Sequence, residues 1–350
     1  MDKKLILACA GSGKTYHIIQ QLNDSDRFLI LAYTINNIDC LEKSIIEKFG
    51  YHPANIKVKS FFNFLYSFCY KPYLSAEFMA KGICWKLPSP QTYNLRRSHK
   101  LFYVTKSRLL YYNRLSKLLI ENNAAALIRN RLGKYYDWIL IDEVQDFGGH
   151  DFNLLQDILK SRVRILLVGD FFQHTFSTSN DGQVNINLYQ NFIKYKRVFE
   201  KAGVTLDDTT LMHSRRCTQT ICDFVRENVG IEIYSHYSTT SKITIISNQS
   251  EADKVLKDSN ITKLFVKEHY NYECISENWG GCKGLEYENV CVILGEEVLK
   301  LFNKGKLSEL KPTTKNKFYV ACTRTKNDLY FLPSRYAKMY KKDIEKKLLT

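Results

Sequence analysis

Four short apolar runs, at residues 5–9, 28–33, 138–141 and 165–168, stand in the first half of the chain as unbroken blocks rather than as alternations. A strand covered on both faces needs an apolar residue at every position, so the blocks predict parallel strands buried from both sides. The intervals between them are long enough for the crossover helices that parallel strands require, which predicts an α/β architecture. A second series, at 243–246, 264–266, 290–294 and 329–332, follows a polar stretch around 194–208. The pattern therefore predicts two domains, 1–200 and 205–350, an ordinary division for a chain of 350 residues. Residues 335–349 predict a lysine-rich terminal helix with a solvated face.

Composition narrows the setting. Hydrophobic residues make up 45% and charged residues 25%, the balance of a folded globular protein. No apolar run approaches the roughly 20 residues that cross a bilayer, and the first seven residues lead into a strand pattern rather than a leader. No membrane role and a cytoplasmic location are the expectation. Ten cysteines are scattered without a C-x-x-C pair or histidines spaced to join them, which predicts reduced thiols rather than a zinc site or a disulfide framework. Lys and Arg outnumber Asp and Glu by 51 to 36, a formal charge of +15 that calls for a polyanionic partner.

The segment Ala8-Cys9-Ala10-Gly11-Ser12-Gly13-Lys14-Thr15 follows the first predicted strand and precedes a helical pattern at 16–22. That is the setting of a phosphate-binding loop. Glycines at 11 and 13 let backbone N–H groups, with those of Ala10 and Ser12, face phosphate oxygens, and the helix start adds positive potential. Lys14 reaches the terminal phosphates and Thr15 offers a hydroxyl to Mg²⁺. The run at 138–141 ends in Asp142-Glu143-Val144-Gln145-Asp146, placing acids at the carboxyl end of a parallel sheet, where ligands of such folds bind. Asp142 suits Mg²⁺ through water, and Glu143 suits the base that orients and deprotonates an attacking water. ATP and Mg²⁺ are the expected cofactors.

Further segments recur in a fixed order, and with them the chain resembles the UvrD/Rep branch of the superfamily 1 helicases. Thr34 and Asn37, and then Ser60-Phe61, look like its strand-contacting motifs, while Asp142 to Asp146 matches D-E-x-Q-D and Val168-Gly169-Asp170-Phe171-Phe172-Gln173 looks like V-G-D-x-x-Q. Leu211-Met212-His213-Ser214-Arg215-Arg216 resembles the motif that carries an arginine to the γ-phosphate, Lys283-Gly284-Leu285-Glu286-Tyr287 matches K-G-L-E-[FYW], and Tyr319-Val320-Ala321-Cys322-Thr323-Arg324 matches Y-V-A-x-T-R. The resemblance spans about residues 5–332. It implies two RecA-like P-loop NTPase domains with parallel sheets and ATP in the cleft between them. It also implies Arg216 and Arg324 as catalytic arginines, Gln173 as a γ-phosphate sensor, Gly284 at the nucleotide and Glu286 at its ribose. Thr34, Asn37, Ser60, Phe61 and Phe176 would contact the nucleic acid.

The chain also departs from that family. Only residues 1–4 precede the first strand, leaving no room for the helix that carries an adenine-reading glutamine, and Arg215 stands where an aromatic residue often stacks on adenine. An arginine can stack on a base, so relaxed nucleotide choice is expected. Thr178 replaces a second stacking aromatic after Gln173, Ile35 replaces a base-contacting phenylalanine, and Gly280 replaces a histidine before the fifth motif. Between Arg216 and Lys283 the large second-domain insertion has no room, which makes this a minimal form. A short helical basic insertion is expected in the first domain at about 71–134. There Lys81, Lys86, Arg96, Arg97, Lys100, Lys106, Arg108, Arg114, Lys117, Arg129 and Arg131 meet few acids, and Tyr93, Phe102, Tyr103, Tyr111 and Tyr112 are interleaved. Three readings of it stand: phosphate and base contacts to a single strand, a solvated helical face over core aromatics, or a protein docking surface. The resemblance implies an ATP-dependent translocase or helicase on single-stranded DNA, with RNA also admitted, moving 3′ to 5′. The competing reading is a nucleic-acid-stimulated switch ATPase, a subunit of a defence or repair complex, that unwinds nothing.

Overall fold

The computed structural model describes residues 2–175 and 181–342. The chain divides into two compact units. The first takes Met1–Leu7, Lys14–Gly169 and Phe176–Asp207, and the second Ala8–Gly13, Asp170–Thr175 and Asp208–Thr350.

In the first unit the strands are β1 (Lys3–Leu7), β2 (Phe28–Ala32), β3 (Ile56–Ser60), β4 (Gly82–Cys84), β5 (Leu109–Tyr111), β6 (Trp138–Ile141), β7 (Arg164–Gly169) and β8 (Thr205–Asp207). Six of them form one sheet in the order β3-β2-β6-β7-β1-β8, parallel throughout. All five residues of β2 are buried, as its unbroken apolar sequence requires. The edge strands read differently. In β3, Ile-Lys-Val-Lys-Ser alternates, and β8 is only three residues long, so neither carries the unbroken signature of a central strand. The polar stretch around 194–208 holds most of the helix Phe192–Lys201 and β8, which pairs with β1 (Lys4 opposite Thr205). Strand β1 ends at Leu7, which releases Ala8 and Cys9 from the ladder into the loop that follows.

Two helices flank the loops at the carboxyl edge of this sheet. The first, α1, is Lys14–Gln20. The second, α2, is Ile35–Phe49, capped at its start by Thr34, whose Oγ1 accepts from the Asn37 N–H at 3.2 Å, and at its end by Gly50 with φ 79°.

The 71–134 segment is more than helical. Along the chain, helices Lys71–Phe78, Leu115–Glu121 and Ala125–Tyr135 flank a two-stranded parallel ribbon of β4 and β5 with 3₁₀ turns. Its basic and aromatic residues do not all face outward. Arg114 is fully buried; its Nε donates to Asp181 Oδ1 at 3.0 Å, its Nη1 donates to Thr92 Oγ1, and its guanidinium lies 3.9 Å from the Phe102 ring centre. Lys117 Nζ donates to the other Asp181 oxygen at 2.7 Å. Phe102, Tyr103 and Tyr111 are core residues. For this half of the segment the expectation of strand-facing charges and rings is corrected. The acid that neutralises them lies some sixty residues downstream of Arg114, outside the stretch in which charges balance locally.

The second unit contains β9 (His213–Ser214), β10 (Tyr234–Ser235), β11 (Ile243–Ile245), β12 (Ile261–Phe265), β13 (Ser276–Asn278), β14 (Asn289–Leu294) and β15 (Leu329–Pro333). Five form a parallel sheet in the order β11-β15-β14-β12-β13, and β9 pairs with β10. Its core gathers Trp279, Val290, Val292, Phe318 and Phe331. All ten cysteines are free thiols. The terminal helix expected at 335–349 begins as a 3₁₀ turn, Ser334–Tyr340, and residues 343–350 lie outside the described ones. Among the described residues no helix is long and apolar enough to cross a membrane.

Removing one member of a buried charge cluster strands the others. Asp181→Asn is therefore expected to lower unfolding free energy by about 3–5 kcal/mol, whereas Arg97→Ala, on an exposed pair with Glu121, should cost under about 1 kcal/mol. Burial alone would raise the Asp181 carboxyl, but Lys117 and Arg114 hold it below its ordinary range. Its contribution is thus complete near neutrality and fades as pH falls below about 4. Urea unfolding should show the gap between wild type and Asp181→Asn narrowing from pH 7 to pH 3; an unchanged gap contradicts the assignment.

Candidate active site

The first unit holds the acids and the lysine. Asp142 and Glu143 leave the carboxyl end of β6, and Glu143 adopts φ 53°, a left-handed backbone uncommon outside glycine. Such conformations cluster where the surroundings hold a side chain at a required angle. Here the Glu143 N–H donates to Asp142 Oδ1 at 2.9 Å. The carboxylate is held from two sides: Lys14 Nζ is 3.5 Å from Oε1, and the Gln145 amide donates to Oε2. Gln145 is fully buried and sits against Gly169, where a β-carbon would strike it. Lys14 and Thr15 occupy the first turn of α1, so lysine, hydroxyl and both acids share the carboxyl edge of one parallel sheet.

The loop Ala8–Gly13 is anchored within the second unit. Gly11 and Gly13 have φ 71° and 85°. A β-carbon on Gly11 would lie 2.7 Å from both Arg216 Cβ and Ser214 Oγ, so conformation and space each demand glycine there. The Cys9 N–H donates to Leu211 O at 2.9 Å, and the Arg215 N–H donates to Gly11 O at 2.8 Å. One expectation changes: the Ala10 N–H, expected to face phosphate, donates to the Tyr319 hydroxyl at 2.8 Å, while the Ser12 side-chain hydroxyl donates back to Cys9 O.

Tyr319 lies on the helix Pro312–Cys322, wholly buried, and its hydroxyl donates to Asp170 Oδ2 at 3.0 Å. Asp170 Oδ1 in turn accepts from the Phe172 N–H and opens the turn Phe171–Gln173, which buries Gln173. One phenol therefore joins the loop to the turn bearing the expected γ-phosphate sensor. Its motif is visible in the sequence; its two partners, at positions 10 and 170, are not.

Two arginines stand next to that loop. Arg216 Nε donates to Glu286 Oε1 at 2.8 Å, Nη2 pairs with the same carboxylate, and Nη1 donates to Thr323 O. Glu286, expected at a ribose, is here the partner of Arg216. Against burial, which alone would raise its carboxyl, Arg216 holds it below its ordinary value. Gly284, at φ 85°, turns the chain immediately before it, and Arg215 is exposed. Arg324 is 1% exposed; Nε donates to Val320 O at 3.1 Å, Nη1 to Leu285 O at 3.3 Å, and Nη2 is buried with no hydrogen-bond partner among the described residues. Burial and then the nearby Arg216 charge pull its pKa below the ordinary arginine value.

Thr34 follows β2 and Ser60 ends β3, both at the carboxyl edge of the first sheet, and both act as helix caps: Ser60 Oγ accepts from the Asn63 N–H at 3.0 Å. Asn37 contributes its backbone N–H to the Thr34 cap. Phe61 is corrected: at 1% exposed it packs on Phe147 and Tyr33, with ring centres 4.6 and 5.3 Å away, and offers no face to a strand. Phe176 lies outside the described residues.

The chain matches the viral superfamily 1 RNA helicase core domain over residues 120–333 and an AAA domain over residues 2–178. No curated protein matches it in sequence. Among solved structures, an Arterivirus nonstructural protein 10 helicase in complex with DNA is similar, with TM-score 0.51 and 12% identity over 94% of this chain and 60% of that one. A crystal structure of Arterivirus nonstructural protein 10 gives TM-score 0.47, 15% identity and coverage of 96% and 62%, and the PRRSV helicase gives 0.46, 14%, 96% and 53%. This chain thus spans less than two thirds of each of those proteins, and at such identities the likeness is one of fold. With two parallel α/β units, a phosphate loop and the family matches across them, the chain belongs to the superfamily 1 helicases, in the viral superfamily 1 RNA helicase core-domain family.

Proposed function

We propose that the chain is a nucleic-acid-stimulated ATPase that uses ATP with Mg²⁺ to move along a single strand. The observation that carries this reading is Arg324. A buried guanidinium nitrogen without an acceptor costs about 1–3 kcal/mol or more, and an anionic oxygen removes that cost. With Arg216 beside it and the bare Gly11 backbone packed on Arg216, the locus suits a phosphoryl group whose charge spreads during transfer.

In this reading Lys14 exchanges the Glu143 carboxylate for phosphate oxygens. Glu143, still held by Gln145 and by its left-handed backbone, then turns Oε1 to a water. The water oxygen bonds to the γ-phosphorus as the bond to the bridging oxygen breaks, ADP leaves, and the water proton passes to Glu143. The Thr15 hydroxyl and Asp142 carboxylate are hard oxygen donors that fit Mg²⁺, which would neutralise phosphate charge there. Arg324 and Arg216 stabilise the transferring group, and Gln173 reports its presence through the turn fixed by Asp170. The K-G-L-E-Y and Y-V-A-C-T-R segments support a UvrD/Rep-like motor and 3′ to 5′ movement. The exposed basic residues of the 71–134 segment support a polyanionic track.

Steady-state hydrolysis with and without single-stranded DNA and RNA tests the reading directly. Both the wild-type rate and its stimulation should be lost in Lys14→Ala. Glu143→Gln should lower kcat by about 10²–10⁴. Arg324→Ala should lower it by about 10³–10⁵ while ATP still binds. If neither nucleic acid stimulates the wild type, the motor reading fails. Strand displacement on duplexes with 3′ or 5′ tails then separates a stepping motor from a switch.

Tyr319→Phe removes one oxygen and leaves the Ala10 N–H and Asp170 each short of a partner. At about 1 kcal/mol for each of the two lost bonds, kcat/KM for ATP should fall roughly thirtyfold with the fold intact by circular dichroism. Unchanged kinetics would remove Tyr319 from the site.

A further inference from the structure

We propose that Phe62, Trp85 and Tyr112 form a base-stacking platform for a single strand of nucleic acid, an inference that rests on the motor reading above. Trp85 is 66% exposed, although a tryptophan ring ordinarily contributes most of its apolar area to a core. It does not stand alone. Its ring centre lies 4.8 Å from that of Phe62, with planes tilted by 45°, and 5.8 Å from that of Tyr112, tilted by 33°. The three rings come from three segments. Phe62 lies in the turn of helix that follows β3, Trp85 is the residue after β4, and Tyr112 is the residue after β5. Because β4 and β5 are parallel, with Cys84 opposite Tyr111, both strands send their next residue out of the same end, and the two rings meet there.

Position and charge select the occupant. Phe62 lies two residues beyond Ser60, at the carboxyl edge of the first sheet. Lys86 follows Trp85 and is exposed, while Lys81 and Arg108, also exposed, are joined at the opposite end of the ribbon by the Lys81 N–H to Arg108 O bond. None of the three pairs with a carboxylate among the described residues. Between Lys81 and Lys134 the sole acid, Glu121, is held by Arg97. Flat apolar faces set among unneutralised cations suit bases carried on a phosphate backbone, since every base offers a π-face and every linkage a negative charge. An apolar peptide would gain from the rings but not from the charge.

Fluorescence tests this, because Trp279 is fully buried and Trp138 partly so, leaving Trp85 as the exposed emitter. Wild type, Trp85→Phe and Trp85→Ala are titrated with a thymidine oligonucleotide, a uridine oligonucleotide and an abasic strand of equal length. The base-bearing strands should quench wild-type emission, and the quenching should vanish in Trp85→Phe. By anisotropy with labelled strands, Trp85→Ala should bind the base-bearing strands about five- to a hundredfold more weakly. Trp85→Phe, which keeps a ring, should stay within about threefold, and the abasic strand should bind wild type and Trp85→Ala alike. Basal ATPase should be unchanged in both variants, and melting curves check their folding. If wild type binds strands and is stimulated by them while Trp85→Ala binds equally well, the platform is overturned and the motor reading survives. If wild type neither binds nor responds to any strand, both fall.

Discussion

The hydroxyl of Tyr319 is the constraint on which the phosphate loop and the Asp170 turn of the second unit depend. Buried among apolar side chains, it can be satisfied only by fixed partners, and it has one of each kind: a donor, the Ala10 N–H, and an acceptor, Asp170. A phenol in that position sets the distance between the phosphate loop and the turn bearing Gln173 as a rigid spacer would. Around it the loop's other bonds, from Cys9 to Leu211 O and from Arg215 to Gly11 O, fix the remaining degrees of freedom. Gly11 then lets Arg216 close on the backbone without a side chain between them.

The same logic, a buried polar group that forces its neighbours into register, recurs in the first unit. Glu143 is held by an ammonium and an amide on separate elements, and Asp181 gathers Arg114 and Lys117. Such clusters add little net stability over an apolar core but strongly disfavour arrangements in which one member is missing. Core aromatics and surface rings thereby become distinct populations within one basic segment.

How far the sequence discloses this follows from range. Central strands were legible because burial on both faces writes an unbroken apolar run into five adjacent residues, as in β2. Edge strands β3, β8 and β13 were not, since one open side permits Ile-Lys-Val-Lys-Ser, Thr-Leu-Asp or Ser-Glu-Asn. Lys14, Asp142 and Glu143 were legible because loop and strand chemistry demands them at short spacing. The acid partner of Arg114 and the partners of Tyr319 and of the Ala10 N–H lie 67 to 309 positions away, and no local pattern encodes them. Nothing in the adjacent pair Phe61 and Phe62 reveals which ring the helix turn sends inward, and Trp85 meets Tyr112 only through the pairing of β4 with β5.

The topology of β1 has a consequence for how the protein is made. Its neighbours in the sheet are β7, where Lys3 sits opposite Ile165, and β8, where Lys4 sits opposite Thr205. The loop that leaves β1 then waits for Leu211, Arg215 and finally Tyr319. Such long closures are slow, and on the ribosome they cannot begin until those residues have emerged. A loop synthesised before these partners is accordingly slow to acquire its shape, so a chain terminated ahead of Tyr319 would carry every residue of the phosphate motif and yet lack the bonds that shape it.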